Sequence, residues 1–382
     1  MPIPDNIRID ELKKDIVRYK NLADNLKVSF NKFFISSQEP YIYDHINIDY
    51  SFDTKTRPNP LLAVYYSTML GIPSLFERDK IIKFLKFALP KIVYKFGVSS
   101  LDKNDEDFHP INNSTLFHKD AAYHNGMIWL FLSGTLTNSL ASFGLQNFVF
   151  RHTESLVSQI LDSQALGTLS ELLYPYQKDK NSVTPSGTYS QTWSISEFCR
   201  SFYRDYLGIN LNVPKRKIFF TPALPMKFGF VKTKIRYGYY ETLHYHITND
   251  KESDSISSID VKAIEINRPI FVILKIRLGY EKFGTKYKYK TLFTKIKLSE
   301  NGDLFKIEFT RESPNLIKLK NLDISSHSEV MSVEIGSEVS EIVYEDGLKY
   351  ARPINDEELK KYKSMTVEKY LEKKITKKSS NE

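Results

Sequence analysis

Three stretches of the chain concentrate side chains that can both stack and hydrogen-bond. The first is Thr56-Arg57-Pro58-Asn59-Pro60, a charged, amide-bearing turn ahead of an apolar run. The second is Asp120-Ala121-Ala122-Tyr123-His124-Asn125-Gly126-Met127-Ile128-Trp129. The third runs from Leu166-Gly167-Thr168-Leu169-Ser170-Glu171-Leu172 through Ser186-Gly187 to Gln191-Thr192-Trp193-Ser194. Both tryptophans of the chain, Trp129 and Trp193, lie in the last two, among Tyr, His, Asn, Gln and Ser. A sugar asks for this mixture, because its apolar ring face stacks on an aromatic while its hydroxyls need donors and acceptors together. Composition alone favours the plainer alternative of two core tryptophans with satisfied N–H groups. Glu171, a carboxylate in an apolar context, is open to two roles, partner of a helix N-terminus or general base.

Other chemistries find less support. The sequence has no phosphate-cradling Gly-rich loop, no Cys-x-x-Cys pair, no His-Glu-x-x-His and no Gly-x-Ser-x-Gly elbow. His244 and His246 stand two apart and would share one face of a strand. Without a third ligand they read as a polar sheet face, and neither a metal nor a cofactor is expected. Lys286, Lys288 and Lys290 alternate with Tyr287 and Tyr289, and read as lysines guarding a sheet edge rather than as a nucleic-acid contact. The net charge of +8 is local: residues 359–382 hold eight lysines against three glutamates, so the rest of the chain is nearly balanced. No nucleic-acid partner is expected.

One cysteine, Cys199, excludes an intrachain disulfide framework and fits a reducing compartment. Met1-Pro2-Ile3-Pro4-Asp5 lacks the basic and apolar regions of a signal peptide. The longest apolar stretch, Met127 to Leu136, is broken by Ser133, Gly134 and Thr135 and is far short of a membrane span. These features predict a soluble, cytoplasmic protein without a membrane partner.

The elements that must position these residues change texture once. With 382 residues, 41% hydrophobic and 26% charged, the chain reads as globular with more than one domain. Up to about Ile209 the period is helical. Leu12, Ile16, Tyr19, Leu22, Leu26 and Phe30 step by three and four, as do Ile81, Leu85, Ala88, Leu89, Ile92 and Val93, with Gly97 as a helix stop. Pro60 suits the first turn of a helix over Leu61–Leu70. Further helices are predicted over Gly126–Phe143, Gln146–Leu161 and Gln191–Leu207, the last closed by Gly208. The connectors Gly97–Asn125 and Gly167–Ser190 are long enough to suggest function. After Pro214 the period becomes two, over Arg216–Phe220, Lys227–Lys234, Tyr239–Thr248, Pro269–Leu278, Tyr287–Leu298, Asp303–Thr310 and Glu329–Val343. Asn301-Gly302 and Gly279 supply turn chemistry, and Asn249–Ser258 reads as a loop. Short strands at regular spacing predict an antiparallel β-sandwich, and a charged helix follows from Asp356. The predicted domains are a helical 1–212, a sandwich 213–352 and a charged helical tail 353–382.

At the chemistry-bearing segments the sequence resembles a family. Arg57-Pro58-Asn59, Tyr123-His124-Asn125-Gly126 with Trp129, Gly167-Thr168-Leu169-Ser170-Glu171, and Gln191-Thr192-Trp193-Ser194 with Glu197 and Arg200 recur in this order and at similar spacing in amylo-α-1,6-glucosidases, the glucosidase part of glycogen debranching enzymes. The resemblance spans roughly Asn31 to Ile209. It implies an (α/α)6 toroid, of which this chain holds about half of the helices, with substrate in the mouth formed by the loops. It also implies inverting hydrolysis of α-1,6 branch linkages in a glycogen-type α-glucan, with Glu171 as the base that activates water. Arg57, Asn59, His124, Trp129, Gln191 and Trp193 would line the subsite of the terminal glucose. Pro60, Thr192 and Leu130-Phe131-Leu132 depart from the family pattern. The family's general acid lies on an earlier helix, and residues 1–56 show no counterpart of its motif. Three explanations stand: a truncated gene product, a split enzyme whose first half is another polypeptide, or a non-catalytic descendant that only binds glucan. The apolar stripes on all six predicted helices favour a separate polypeptide that completes the toroid and buries the seam of a half barrel. Two alternatives stand beside this reading: an inverting (α/α)6 glycosidase of glucoamylase-like type, and a glucan-binding or interaction module without turnover.

Overall fold

The change of period near Pro214 separates two regions built on different principles. A computed structural model of the chain describes residues 9–37, 40–69, 75–112, 119–179, 182–250, 255–283, 286–313, 316–340, 348–364 and 372. The first region carries helices α1 (Ile9–Phe33), α2 (Asn59–Met69), α3 (Arg78–Ile92), α4 (Lys119–His124), α5 (Leu132–Ala141), α6 (Gln146–Ser158) and α7 (Thr192–Ser201). Helices α6 and α7 each run on into a π turn, Gln159–Ser163 and Phe202–Tyr206. The apolar stripe of α3 buries Ile81, Ile82, Leu85, Ala88, Leu89 and Ile92 against Leu136, Leu140 and Phe148 of α5 and α6. Helix α5 is buried almost all round although it carries Ser133, Thr135, Thr137 and Ser139. Two of its hydroxyls return to the helix, from Thr135 to the Leu132 carbonyl at 2.6 Å and from Thr137 to that of Ser133 at 2.9 Å. The stripes of α3, α5 and α6 are thus covered within the chain. Helix α1 differs: none of its residues is buried, so its apolar stripe is left uncovered by the described residues.

A small sheet threads this layer. Its strands are β1 (Val93–Tyr94), β2 (Gly97–Ser99), β3 (Ile128–Trp129), β4 (Leu172–Leu173) and β5 (Pro185–Ser186), in sequential order and antiparallel throughout. It corrects two expectations. Gly97 does not stop a helix; it lies in β2, where a Cβ would overlap the Ile128 side chain. The continuous helix expected over Gly126–Phe143 gives up its first part to β3, because Ile128 and Trp129 pair with both β2 and β4. Gly208, at φ +68°, does close the last helical run as expected.

The second region is one ten-stranded sheet. Its strands are β6 (Ile209–Asn212), β7 (Lys217–Phe220), β8 (Phe230–Tyr237), β9 (Glu241–Asp250), β10 (Ser255–Glu265), β11 (Ile270–Phe283), β12 (Lys286–Leu298), β13 (Leu304–Ser313), β14 (Leu316–Ile324) and β15 (Glu329–Ser340). The order is β15-β12-β11-β14-β13-β10-β9-β8, with β7 parallel to β11 and β6 paired to β7. Alternating residues such as Leu243, Tyr245, Ile247, Ile259, Val261, Val272, Leu274, Phe305 and Ile307 meet in a single core. The chain is thus an α + β protein. Its strands are continuously hydrogen-bonded, whereas the sequence predicts a two-layer sandwich.

Within the sheet the Lys286, Lys288 and Lys290 row does not guard an edge. Strand β12 pairs with β11 on one side and β15 on the other, so the row sits in an interior strand. Gly279 is not a turn but a bulge in β11, at φ +119°. Asn301-Gly302 is a turn as expected, with Gly302 at φ +89°. The stretch expected as a loop, Asn249–Ser258, ends in β10. Beyond the sheet, residues 348–354 return to the helical region. Tyr350 stacks on Phe148 at 4.4 Å and donates to its carbonyl at 2.8 Å, and the Ala351 amide donates to the Val93 carbonyl at 2.7 Å. Helix α8 (Asp356–Lys363) follows, capped reciprocally by Asn355 and Glu358. The expected fraying of Lys377–Glu382 lies outside the described residues.

Candidate functional site

The small sheet is the frame of the site. Glu171 immediately precedes β4, and its backbone amide donates to the Thr188 carbonyl at 2.9 Å. Register sets Trp129 of β3 opposite Leu172, and Leu172 opposite Ser186 of β5. Thr188 follows β5 after Gly187, and the Gln191 amide donates to the Leu169 carbonyl at 2.9 Å, which draws the start of α7 to the segment leading into β4. Segments far apart in sequence therefore meet over a few ladder pairs.

The Glu171 carboxylate, 9% exposed, is saturated with donors. The Tyr123 hydroxyl donates to Oε1 at 2.5 Å. Oε2 accepts from the Thr188 amide at 2.9 Å and the Thr188 hydroxyl at 3.1 Å. The Gln191 side chain adds another hydrogen bond. Burial alone pushes the carboxyl up, but Tyr123, Thr188 and Gln191 together outweigh it and hold the pKa below the ordinary glutamate value. Tyr123 shows the reciprocal effect, pushed up to about 12 by burial and by Glu171. Gly187 makes room for the arrangement. It sits at φ +68°, and a Cβ there would stand 2.6 Å from Glu171 Oε2. The site thus holds a fixed negative charge at neutral pH, with a hydroxyl donor on one oxygen and a loop amide on the other.

An aromatic cluster adjoins this carboxylate. Trp129 packs edge-on against Tyr123 at 4.6 Å and donates its indole N–H to the Tyr123 carbonyl at 3.0 Å. Trp193, at the start of α7, stacks on Phe131 at 4.8 Å and meets Trp129 edge-on at 6.2 Å. Trp129 is therefore a half-buried support with a satisfied N–H, whereas Trp193 is 46% exposed and offers a free aromatic surface. The two tryptophans thus differ in exposure, one packed with its N–H satisfied and the other half open to solvent.

The remaining predicted residues sit in differing positions. His124 is exposed and edge-on to Tyr123 at 5.0 Å. Arg57 is a clamp: its guanidinium donates to the Ser100 carbonyl at 3.1 Å, the His124 carbonyl at 2.8 Å and Asn125 Oδ1 at 2.7 Å. It thus fixes the turn that carries His124 rather than meeting Glu171. Asn59 is exposed and donates to Asp44 Oδ1 at 2.7 Å. Glu197 and Arg200 hold the helices together. Arg200 pairs with Glu197 and with the buried Asp205 at 3.0 Å each, donates to the Gly134 carbonyl and lies over the Tyr65 ring. Sequence reasoning missed Thr188, Tyr123 as a carboxylate donor, and Phe131 as the stacking partner of Trp193. Only Tyr123 carried a signal, through its place in the Tyr-His-Asn-Gly segment.

Among the described residues, Asp44, His45 and Asp53 form the one group of three His, Cys, Asp or Glu side chains whose ligand atoms lie within 4.8 Å of one another. His45 Nδ1 lies 3.2 Å from Asp53 and 3.6 Å from Asp44. In the sheet, His246 faces Asp260 at 3.3 Å across β9 and β10 and forms no metal group with His244. No helix among the described residues is long and apolar enough to cross a membrane.

Against known proteins, no curated sequence matches the chain. The family model described as amylo-alpha-1,6-glucosidase matches residues 3–200, which include every residue of the carboxylate and aromatic cluster. With that match over half its length, the chain belongs to the amylo-alpha-1,6-glucosidase family and resembles the C-terminal region of glycogen debranching enzymes.

Proposed function

We propose that the helical region is a glucan site in which Glu171 serves as the base of an inverting α-1,6-glucosidase, acting on branch linkages of a glycogen-type α-glucan in the cytoplasm. The observation that carries this reading is the ionised, nine-tenths buried Glu171 carboxylate beside the exposed ring of Trp193. In this reading Trp193 stacks on a sugar face while Glu171 takes a proton from the attacking water. His124 and Gln191 supply polar contacts to the terminal glucose, and Arg57 and Asn59 shape the loops around it. Inversion needs a second carboxyl group, protonated and set far enough away to leave room for the water. A separate polypeptide that completes an (α/α)6 toroid supplies it, and the sheet supports the toroid from one side.

The test measures glucose release from limit dextrin by this chain alone and together with an upstream half-barrel polypeptide. Negligible turnover alone and restored turnover in the mixture are expected. In the active mixture Glu171→Gln should lower kcat by at least about 10²-fold with little change in glucan affinity. A normal kcat in a variant with a lowered melting temperature would remove Glu171 from the mechanism.

A second reading rests on the saturation of Glu171. Its oxygens already accept from Tyr123, from Thr188 twice and from Gln191, so a water must displace one of these donors before it can be activated. A glucan-binding module without turnover keeps all of them. Limit-dextrin binding lost in Trp193→Ala, with no glucose release in any mixture, would favour that module.

A further inference from the structure

Helix α1 carries the longest unpartnered apolar face among the described residues. Its 25 residues bury nothing, and every residue from Ile9 to Ser29 is exposed. Only its last turns touch the body: Phe30 stacks on Phe34 and meets Phe76 edge-on, and Asn31 donates to the Leu75 carbonyl at 2.6 Å. The preceding five turns form a rod about 30 Å long.

The amphipathic spacing on that rod also fits a heptad. Taking Ile9 as position a, the a positions are Ile9, Ile16 and Ala23, and the d positions are Leu12, Tyr19 and Leu26. All six are apolar, and the seam hands over to Phe30 where the helix joins the body. An apolar residue at every a and d position is the seam of a coiled coil, and Leu22 at g widens the exposed apolar face beside it. Among parallel coils, Ile at a with Leu at d favours two strands over three or four. The flanks select the partner and its direction. The e positions are Lys13, Lys20 and Lys27, and the g positions are Asp15, Leu22 and Ser29. Two antiparallel copies would set the lysine rows against each other. Two parallel copies set Asp15 of one against Lys20 of the other, twice by symmetry, with the lysine stems beside Leu22. Within one chain Asp15 has only the exposed Arg18, at 3.8 Å, a pair weak enough to exchange.

We propose that α1 is the dimerisation helix of this protein, pairing in parallel with the same helix of a second copy. The proposal stands apart from the glucosidase reading, since it uses no residue of the carboxylate and aromatic cluster.

Sedimentation of the full chain over a micromolar to submillimolar series tests it. A reversible shift from 44.5 kDa to twice that mass is expected. Ile16→Asp should weaken self-association at least about tenfold, since a charge then sits in the seam. Its melting temperature should hardly change, because Ile16 is 68% exposed in the single chain. Asp15→Lys and Lys20→Asp should each weaken the dimer, and the double variant should restore it, a rescue that only parallel, in-register pairing gives. A monomer at all concentrations, a dimer indifferent to Ile16→Asp, or no rescue in the double variant would overturn the proposal. So would a monomer whose α1 gains protection from hydrogen exchange only when an upstream half-barrel polypeptide is added.

Discussion

The helical region and the large sheet solve the same packing problem at different cost. The sheet uses strands of up to 14 residues whose alternate side chains fill one apolar core. Its buried polar groups, such as Glu241 and Asp303, are held by backbone amides or by the Arg216 guanidinium. The helical region uses strands of two or three residues and an α5 rich in serine and threonine, and it buries His152, Glu171 and Asp205. Each such group needs partners, because burying it bare costs far more than any single apolar contact returns. Both regions bury carboxylates, so the difference lies in what stands beside them. The donor Tyr123 ties Glu171 to an aromatic cluster that ends in the exposed ring of Trp193, whereas Glu241 and Asp303 are tied to an arginine or to turn amides.

That contrast can be broken or sharpened by experiment. The largest effect is expected in the sheet, where Phe305 is fully buried in the core. Phe305→Ala should cost about 3–5 kcal/mol in urea unfolding. Glucan binding per folded molecule should be untouched, and a loss of binding would show that the two regions are not separate in function. Next comes the polar interior of the helical region. His152 is fully buried, with Nδ1 2.9 Å from the Lys95 carbonyl, and burial holds its pKa down to about 4. The unfolded chain takes up this proton below about pH 6.5 and the native chain does not. Stability should therefore fall as pH drops from about 6.5 to about 4, by about 3 kcal/mol in all. Urea midpoints at several pH values measure it, and His152→Leu should lose that part of the slope.

Smaller effects test the site. Tyr123→Phe removes the donor closest to Glu171, so the acid limb of kcat/KM in the active mixture should move up from its position below the ordinary glutamate range. An unmoved limb would mean that another group sets it. Trp193→Phe is the mildest change. It should weaken glucan binding by about 1 kcal/mol through lost stacking area. Thermal stability should hardly change, because half the ring already faces solvent. Isothermal titration with limit dextrin reads it directly.

The same contrast governs what the sequence reveals. Long periodic elements were legible: the stripes of α1 and α3, the strands β9, β12 and β13, and the charged helix α8 all follow from local pattern. The strands of two residues were not. Ile128 and Trp129 lie in a run that scans as helix, and only pairing with β2 and β4 makes them a strand. Strand β10 was hidden by its polar start, although Ile259, Val261 and Ala263 alternate, and β14 by its mostly exposed side chains. In the site, Glu171, Trp129, Trp193 and Gln191 stand together because the family segments carry them. Thr188 and Phe131 belong to no such segment. Their part depends on the β5 turn and on the entry to α5, which are tertiary facts.

The return of residues 348–354 to the helical region has a consequence for the order of events at the ribosome. Tyr350 covers Phe148, and Ala351 closes on Val93, so part of the helical core is contributed by residues made after the whole sheet. At ordinary elongation rates the nascent chain waits roughly ten to thirty seconds between the end of the helical segments and the arrival of this strap. Through that interval the sheet can complete its own core while the helical layer stands with one side open. Of the two regions, the helical one is therefore the first to be synthesised and the last to be finished.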